Sequence, residues 1–205
     1  MIIVISDTHL FVDEHSITNQ LFDEGLLVFH LRKYDNSTTE IAAFIEKIKP
    51  EHRHKIALHQ HHEMANEFGI TRLHYSANDR KMMTVAELQN LKDKGMLLST
   101  SIHTIEEYNS LPLCFDYAFI SPVFDSISKI GYTAQIFDLT KRNAHSNIKL
   151  IALGGVSQKN CQLALEMGFD GVALLGSIWK SEDKTGSFKT IKNSIPLISQ
   201  MSAEK

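Results

Sequence analysis

The sequence has few cysteines and no long apolar run. Cys114 and Cys161 are the only cysteines among 205 residues, so no disulfide framework is available and we expect a reducing, cytoplasmic compartment. The apolar runs, Ile2–Ile5 and Val172–Leu175 among them, are far shorter than the roughly 20 residues that a membrane span requires. The N-terminus shows no pattern of a secretory signal. These absences argue against a secreted disulfide scaffold and against a membrane partner.

An excess of charge of one sign is also missing. Lys and Arg number 21 and Asp and Glu 24, a formal charge of -3, and no basic block occurs. Nucleic acid is therefore not expected as a partner. Hydrophobic residues make up 43% of the chain, and no linker rich in Pro, Gly or Ser divides it. We expect one compact domain over residues 1–205, because a chain of this length can bury its apolar surface in one core.

Short apolar runs alternate with stretches of helical spacing along the whole chain. The continuous runs are typical of parallel strands covered on both faces. A helix is predicted where Ile41, Phe44, Ile45 and Ile48 recur at helical spacing, and Ser157 is expected to cap another helix. The eight predicted strands are Ile2–Ile5, Leu27–Leu31, Lys55–Leu58, Thr71–Leu73, Met96–Thr100, Tyr117–Ile120, Ile148–Leu153 and Val172–Leu175.

Two α/β folds fit this alternation, an open doubly wound sheet and a closed (β/α)8 barrel. A dinucleotide-binding sheet should have a Gly-rich turn after its first strand, but that position reads Ser6–His9 and no G-x-G-x-x-G occurs. Glycines instead follow the last two predicted strands, as Gly154-Gly155 and Gly176-Ser177. Barrels commonly bind phosphate at that place. We therefore predict a (β/α)8 TIM barrel.

Histidines cluster after the third predicted strand, in His59-Gln60-His61-His62. Clustered imidazoles can bind a transition metal. Neighbours one or two apart on a helix point in different directions, however, and no cysteine or H-E-x-x-H partner accompanies them. We expect one ligand-facing histidine here and no metal site.

Two further strand ends carry groups suited to catalysis. Period-two alternation places His30 and Arg32 on one side of the second strand, and Arg32 can either bind an anion or carboxylate or form a salt bridge to a neighbouring strand. His103 follows the fifth strand and precedes a helix that Thr104 and Glu107 should cap. An imidazole is the natural general acid or base near neutral pH.

A polar loop follows the sixth strand and contains Ser126, Ser128 and Lys129. Lys supplies a point charge and Ser supplies adaptable donors. Together with the glycine turns, this loop predicts a phosphate site.

Several segments of the chain match the pattern of a known family. They are His30–Arg32, Leu73-His74, Ser101–Thr104 with Glu106-Glu107, Asp116–Lys129, Ile151–Val156 and Gly168–Ser177. Through them the sequence resembles the thiamine phosphate synthase/TenI family over essentially its whole length. The resemblance implies a TIM barrel and a place in thiamine biosynthesis, with one of two activities. The synthase joins a pyrimidine pyrophosphate to a thiazole phosphate with Mg2+, whereas the TenI-type enzyme isomerises a thiazole phosphate carboxylate to its aromatic tautomer.

Departures from the family pattern distinguish these activities. The lysine of the synthase pattern after the second strand is replaced by Tyr34, and its N-D-D segment is replaced by His59–His61. Asp79 matches the acidic position after the fourth strand. Mg2+ prefers carboxylate and phosphate oxygens, so these losses favour a tautomerase that needs no cofactor. A Mg2+-dependent synthase is the alternative, and a non-catalytic thiazole or thiamine phosphate binding regulator is the second alternative.

The patterns and the resemblance together give a predicted site for a small-molecule thiazole phosphate. The sequence does not determine whether the chain forms a homo-oligomer. The residues assigned to catalysis are His103, Arg32 and His30. Those assigned to the substrate phosphate are Ser126, Ser128, Lys129, Gly154, Gly155, Gly176 and Ser177. Those assigned to the rest of the substrate are His59, His74 and Ser101.

Overall fold

Eight parallel strands form a closed barrel in chain order, with β1 paired to β8. All eight predicted strands are present, with ends that differ from the prediction by at most two residues, so the predicted α/β class and (β/α)8 barrel are confirmed. The computed structural model describes residues 1–125, 134–143 and 146–195. The strands are β1 Ile2–Ile5, β2 Val28–Leu31, β3 Ile56–Leu58, β4 Arg72–Tyr75, β5 Leu97–Ile102, β6 Tyr117–Ile120, β7 Lys149–Ala152 and β8 Gly171–Leu174.

Helices pack against the outer face of the barrel through a continuous apolar cluster. The helix predicted from Ile41, Phe44 and Ile45 is α2, which buries all three side chains and begins at a capping box between Ser37 and Glu40. The α-helices are α1 Glu14–Asp23, α2 Thr38–Glu46, α3 Ala77–Lys81, α4 Val85–Asp93, α5 Ile105–Asn109, α6 Cys161–Glu166, α7 Gly176–Trp179 and α8 Lys184–Ser194. Short 3-10 helices span Pro50–Lys55, His62–Met64 and Leu139–Lys141.

The predicted cap of α6 is wrong. Asn160, not Ser157, precedes the first helical residue. The Asn160 side chain accepts a hydrogen bond from the Ser157 N–H at 2.8 Å and donates one to the Gly155 carbonyl at 3.0 Å. These bonds hold the Ser157 segment in a turn, so the helix begins three residues later than the hydroxyl predicted.

The barrel interior has an apolar floor and a polar upper part. Ile3, Val28, Ala57 and Phe119 belong to an apolar cluster inside the barrel. His30 lies two positions beyond Val28 on β2, and His59 lies two positions beyond Ala57, just past the end of β3. Both point the same way as the apolar residues before them, so polarity on these two strands increases towards their carboxyl ends. Within the described ranges, no helix is both long and apolar enough to cross a bilayer.

Candidate active site

An unbroken series of hydrogen bonds joins two histidines and two tyrosines inside the barrel. His30 Nδ1 lies 2.9 Å from His59 Nε2, and His30 Nε2 lies 2.7 Å from the Tyr117 hydroxyl. His59 Nδ1 lies 3.3 Å from the Tyr34 hydroxyl. His30 is 0% exposed and His59 6%, whereas Tyr34 is 58% exposed. The series therefore runs from solvent at the mouth to the centre of the barrel.

A third buried histidine connects two serines of β5. His74 Nδ1 lies 3.0 Å from Ser99 Oγ, and His74 Nε2 lies 3.1 Å from Ser101 Oγ. Ser99 is also the direct strand partner of Tyr117. Burial raises the pKa of Tyr117 to about 12. The Ser99 hydroxyl also donates a hydrogen bond to the Leu73 carbonyl at 3.4 Å.

All three interior histidines are held in the neutral form. Burial lowers the pKa of His74 to about 3 and lowers the pKa of both His30 and His59 well below the ordinary value. Neighbouring positive charge, including that of Arg32, adds to the lowering in each case. No carboxylate of the described residues acts on any of the three to oppose this effect, so an imidazolium is strongly disfavoured here.

The geometry of His30, His59 and His74 does not suit a metal ion, although their ring nitrogens approach within 4.8 Å of one another. The His59 and His74 rings are stacked, with centroids 4.0 Å apart and planes at 29°. The lone pairs lie in the ring planes, so those of stacked rings cannot converge on one ion. Each of the six ring nitrogens already has a hydrogen-bond partner.

The other two histidines of the His-rich segment point away from His59. His61 adopts a left-handed backbone with φ 55°, and its ring lies 3.1 Å from the Thr38 hydroxyl. His62 Nε2 lies 3.0 Å from the Leu58 carbonyl oxygen, and its ring packs against Tyr75. The three rings do not share one ligand position, so the predicted single inward-facing histidine corresponds to His59.

The residues after β3 do not fit Mg2+. The Gln60 amide stands where the synthase pattern has a carboxylate, and it is bonded on both sides to the Lys33 backbone. Asp79 accepts hydrogen bonds from Ser76 in the capping box of α3. The Lys33 ammonium is fully buried and ion-paired with Glu14 at 2.6 Å, so it does not replace the missing lysine. Mg2+ requires hard oxygen ligands in octahedral geometry, and this donor set does not provide them.

Two guanidinium groups flank the mouth. Among the residues that the structure describes, no hydrogen bond is made by the half-buried Arg32 guanidinium, and burial lowers its pKa. Arg80 donates to Thr100 Oγ1 at 2.8 Å and to the Ser101 carbonyl at 2.9 Å. A partly buried charge without a partner favours an anion. The salt bridge predicted as the alternative for Arg32 is absent within those residues.

His103 lies at the carboxyl end of β5, exposed to solvent. Its Nδ1 is 3.2 Å from the Ser121 carbonyl oxygen, which can only accept, so Nδ1 carries the proton and neutral His103 presents a lone pair at Nε2. Thr104 caps α5 as predicted, but the Glu107 carboxylate accepts from the His103 N–H at 2.8 Å rather than from Thr104. The cap therefore fixes the backbone of His103.

The glycine turn after β7 is needed for backbone packing. Gly154 and Gly155 have φ of 94° and 66°, a region that residues with side chains avoid. A Cβ on Gly155 would collide with the carbonyl groups of Phe124 and Asp125. Substitution of Gly155 would thus displace the loop after β6 whether or not phosphate binds.

Ser177 is the clearest sign of an anion position. Its Oγ is buried, with no hydrogen-bond partner in the described parts of the chain, and it lies in the first turn of α7, of which Gly176 is the first residue. Ser177 and Gly155 line one open groove of about 1030 Å³. The helix start leaves backbone N–H groups unpaired. Ser126, Ser128 and Lys129 lie outside the described residues, so their assignment stays a prediction.

Sequence reasoning missed Tyr117, Ser99 and Arg80. Tyr117 was assigned only to a strand, yet it shares the inward face of β6 with Phe119. Inward positions follow from period-two alternation, so polar residues at such positions on neighbouring strands were a usable signal. Arg80 had no signal of that kind, because its place depends on the short helix α3.

The fold and the site define a parallel (β/α)8 barrel whose polar groups converge at the carboxyl ends of the strands. The chain belongs to the thiamine monophosphate synthase family, whose sequence model matches residues 2–178. The resemblance stated from the motifs is thereby confirmed.

Curated relatives carry the name thiamine-phosphate synthase. That of Streptococcus suis is 32% identical over 138 residues, 64% of this chain and 58% of that protein. That of Staphylococcus saprophyticus is 29% identical over 124 residues, 58% of this chain and 57% of that protein. The chain thus spans less than two thirds of the length of these relatives. That of Staphylococcus haemolyticus is 24% identical over 185 residues, covering 84% and 85% of the two chains.

Solved structures show the same fold. The thiamine phosphate pyrophosphorylase from Pyrococcus furiosus superimposes with a TM-score of 0.76 at 18% identity, over 94% of both chains. That from Bacteroides thetaiotaomicron has a TM-score of 0.71 at 23% identity, over 95% of this chain and 96% of the other.

Proposed function

We propose that this protein is an enzyme of thiamine biosynthesis that binds a thiazole phosphate at the barrel mouth. The family match over residues 2–178 carries the proposal. Two structural features support an anionic ligand: the Arg32 guanidinium without a hydrogen bond and the buried Ser177 hydroxyl without a partner, both judged within the described residues. A charged hydrogen bond to either group would remove an unsatisfied polar site.

Thiamine phosphate synthesis is the first candidate reaction, because the curated relatives bear that name. The names support this reaction better than the tautomerase favoured by the sequence. In the family, Mg2+ supplies charge neutralisation to the leaving pyrophosphate, but the donor set after β3 does not fit it, and we assign it no step. In this chain Arg32 and Arg80 are the cationic groups at the mouth that can balance the anionic charge.

Proton transfer on a thiazole phosphate is the second candidate, favoured by one specific observation. Gln60 occupies the carboxylate position and is bonded to the Lys33 backbone. Isomerisation needs an acid–base group rather than a metal. His103 Nε2 has a lone pair in the neutral form and is exposed at the mouth, so it can take a proton from the ring of a bound substrate.

Two assays on the purified protein separate the candidates. Pyrimidine pyrophosphate, thiazole phosphate and Mg2+ are incubated with the enzyme and formation of thiamine phosphate is followed. In the second assay, the thiazole phosphate carboxylate tautomer is supplied and its aromatisation is followed. Thiamine phosphate formation that EDTA abolishes supports the synthase, whereas aromatisation indifferent to EDTA supports the tautomerase. Binding without turnover in both assays would show a binding protein and overturn the enzymatic proposal.

Arg32→Gln tests the anion site common to both reactions. We expect KM for the thiazole phosphate to rise about tenfold, the effect of about 1.4 kcal/mol. Arg53→Gln is the control, because the Arg53 guanidinium donates to the backbone carbonyls of Ile48 and Glu46. An unchanged KM in Arg32→Gln, with normal folding, would remove Arg32 from the site.

A further inference from the structure

Two half-buried arginines come from the strands on either side of β3. Arg32 directly follows β2, and Arg80 belongs to α3, which follows β4. The barrel keeps the strands in chain order, so β3 lies between β2 and β4. Burial lowers the pKa of His74 to about 3, and the charges of both arginines add to this lowering. The two guanidinium groups therefore approach the same buried histidine near the carboxyl end of β3.

The guanidinium of Arg80 has one edge without a partner. Its Nη1 donates to Thr100 Oγ1 at 2.8 Å and to the Ser101 carbonyl at 2.9 Å, which uses both N–H bonds of that nitrogen. Nε and Nη2 make no hydrogen bond within the described ranges. The N–H groups on this edge form a planar fork that suits a carboxylate or a phosphate. The bonds to β5 thus fix the plane of the guanidinium and leave its binding edge open.

Arg32 is held by its backbone and not by its side chain. Its N–H donates to Ser6 Oγ at 2.9 Å, and its carbonyl accepts from the same hydroxyl at 3.1 Å. The guanidinium makes no hydrogen bond to any residue that the structure describes, and burial lowers its pKa. Because a partly buried charge is unfavourable without a partner, this group should bind an anion.

No carboxylate among the described residues forms an ion pair with either arginine. Burial lowers the pKa of Arg32 and of Arg80, and the more distant charges of Asp7 and Glu107 oppose this only in part. The Glu107 carboxylate is already bonded to the His103 N–H. The three buried histidines are neutral and supply no negative charge. The end of β3 is therefore positively charged in the free protein.

The residues after β3 explain why this positive charge can bind an anion directly. The N-D-D segment of the synthase pattern is His59–His61 in this chain. A carboxylate repels an anionic substrate unless a cation lies between them. Imidazole and amide side chains at these positions do not repel it, and a guanidinium contacts anionic oxygens without a metal.

We propose that Arg32 and Arg80 form a metal-independent binding site, at the end of β3, for an anionic oxygen group of the substrate. The site deepens the proposed function and rests on it. In the synthase reaction this group is the pyrophosphate, and in the tautomerase reaction it is the carboxylate of the thiazole phosphate carboxylate. Ser177 follows β8, which is not adjacent to β3, so the thiazole phosphate group and this second anionic group occupy different positions.

Calorimetry with inorganic pyrophosphate tests the site without turnover. The full chain should bind pyrophosphate in the presence of EDTA, and Arg80→Gln should weaken this binding about tenfold, which corresponds to about 1.4 kcal/mol. Arg72→Gln is the matched control, because Arg72 is the first residue of β4 and its Nε donates to the His54 carbonyl at 3.3 Å. This variant removes the same charge from the amino end of the strand and should leave pyrophosphate affinity unchanged. Binding of pyrophosphate only after addition of Mg2+ would overturn the proposal.

A second variant at the same position keeps the charge. Arg80→Lys retains a cation but lacks the planar fork, so its pyrophosphate affinity should lie between those of Arg80→Gln and the wild type. Melting temperatures show whether each variant is folded. If Arg80→Gln does not fold, a loss of affinity in folded Arg80→Lys still supports the site, and wild-type affinity in Arg80→Lys contradicts it.

Thiazole compounds distinguish the two sources of the anionic group. If the site takes a carboxylate, Arg80→Gln should weaken binding of the thiazole phosphate carboxylate more than binding of a thiazole phosphate without the carboxylate. If it takes the pyrophosphate, only pyrophosphate affinity should change.

The same titrations separate failure of the site from failure of the proposed function. Thiazole phosphate binding, with no effect of Arg80→Gln on any of these ligands, would overturn the site and leave the proposed function standing. Arg80-dependent pyrophosphate binding by a protein that binds no thiazole phosphate would support the site and contradict the proposed function.

Discussion

At the scale of single residues, Ser177 offers the most direct test of phosphate binding. Its hydroxyl is buried without a partner in the described residues, so it contributes little to folding and is available to a ligand. We expect Ser177→Ala to weaken inorganic phosphate or thiazole phosphate binding about tenfold, as for loss of one hydrogen bond to a charged group. Isothermal calorimetry measures the affinity.

The control for Ser177 lies in the same groove. Ser187 also lines it, but its hydroxyl is bonded to Ser181 at 2.7 Å. Ser187→Ala should leave phosphate affinity unchanged. Ser177→Ala should in addition not lower the melting temperature, because it removes a buried polar group without a partner. Equal affinity in the wild type and both variants would place the phosphate elsewhere.

His103 carries the prediction about proton transfer to substrate. His103→Gln keeps size and polarity but cannot take up a proton near neutral pH. Turnover of the thiazole tautomer should fall about 10²-fold, within the range for general acid–base catalysis, while thiazole phosphate affinity stays the same. Steady-state kinetics and calorimetry check both parts. Retained turnover would make His103 a structural residue.

At the scale of elements, a buried ion pair ties α1 to β2. Glu14 of α1 and Lys33 after β2 are both 0% exposed. The Lys33 ammonium also donates to the carbonyl groups of Asp7 and His9 at 2.8 and 2.9 Å. These bonds hold the segment after β1 against the barrel and leave little freedom to the mouth on that side.

Removing one partner of this ion pair should lower the stability of the fold more than replacing both partners with apolar residues. Measured above pH 7, where Glu14 is ionised, Glu14→Gln leaves a buried ammonium without its counterion and should lower the free energy of unfolding by about 3–5 kcal/mol. Glu14→Leu with Lys33→Met should lower it by much less than the sum of the two single changes, because no lone charge remains. Urea unfolding of the set gives the coupling, and additive losses would contradict it.

The Glu14–Lys33 pair also predicts the direction in which the stability of the fold changes with pH. Burial raises the pKa of Glu14 to about 7, against the pull of Lys33. The folded state therefore binds this proton more tightly than the unfolded state, and this contribution is lost as pH rises from about 4.5 to about 7. Glu14→Gln should remove that part of the pH dependence, measured as the difference in unfolding free energy between the variant and wild type.

At the scale of the whole molecule, the three interior histidines make the folded state less stable as the pH falls. Their pKa values are lowered by burial, so unfolding lets them take up protons. Stability is fully present above the ordinary histidine pKa of about 6.5 and decreases as pH falls below it. For His74 the decrease continues to about pH 3.

A single substitution isolates the contribution of one histidine to this pH dependence of stability. His74→Gln can still bond to Ser99 and Ser101 but does not titrate. Its free energy of unfolding should fall less steeply with acid, by about 1.4 kcal/mol per pH unit within that window. Urea titrations between pH 4 and 7 measure both slopes. Equal slopes would show that His74 is not protonated on unfolding.

The sequence by itself determined the strands and the direction of their side chains. Apolar runs and period-two alternation depend on neighbours along the chain, so Ile2–Ile5, Tyr117–Ile120 and the inward side of His30 could all be predicted locally. The glycines after β7 and β8 and the family motifs likewise indicated where an anion should bind. At Ser157 the local sequence predicts the wrong start for α6. Asn160 precedes the helix instead, and its side chain accepts a hydrogen bond from the Ser157 N–H.

Only the tertiary structure decided which of these groups meet. His59 reaches His30 because β2 and β3 pair with His30 opposite Ala57, and His74 reaches Ser99 because they are partners across β4 and β5. These registers join residues that are distant in sequence. A shift of one residue would reverse the side chains of a strand. The hydrogen bonds of the interior histidines therefore follow from packing between strands, which no periodicity within one strand encodes.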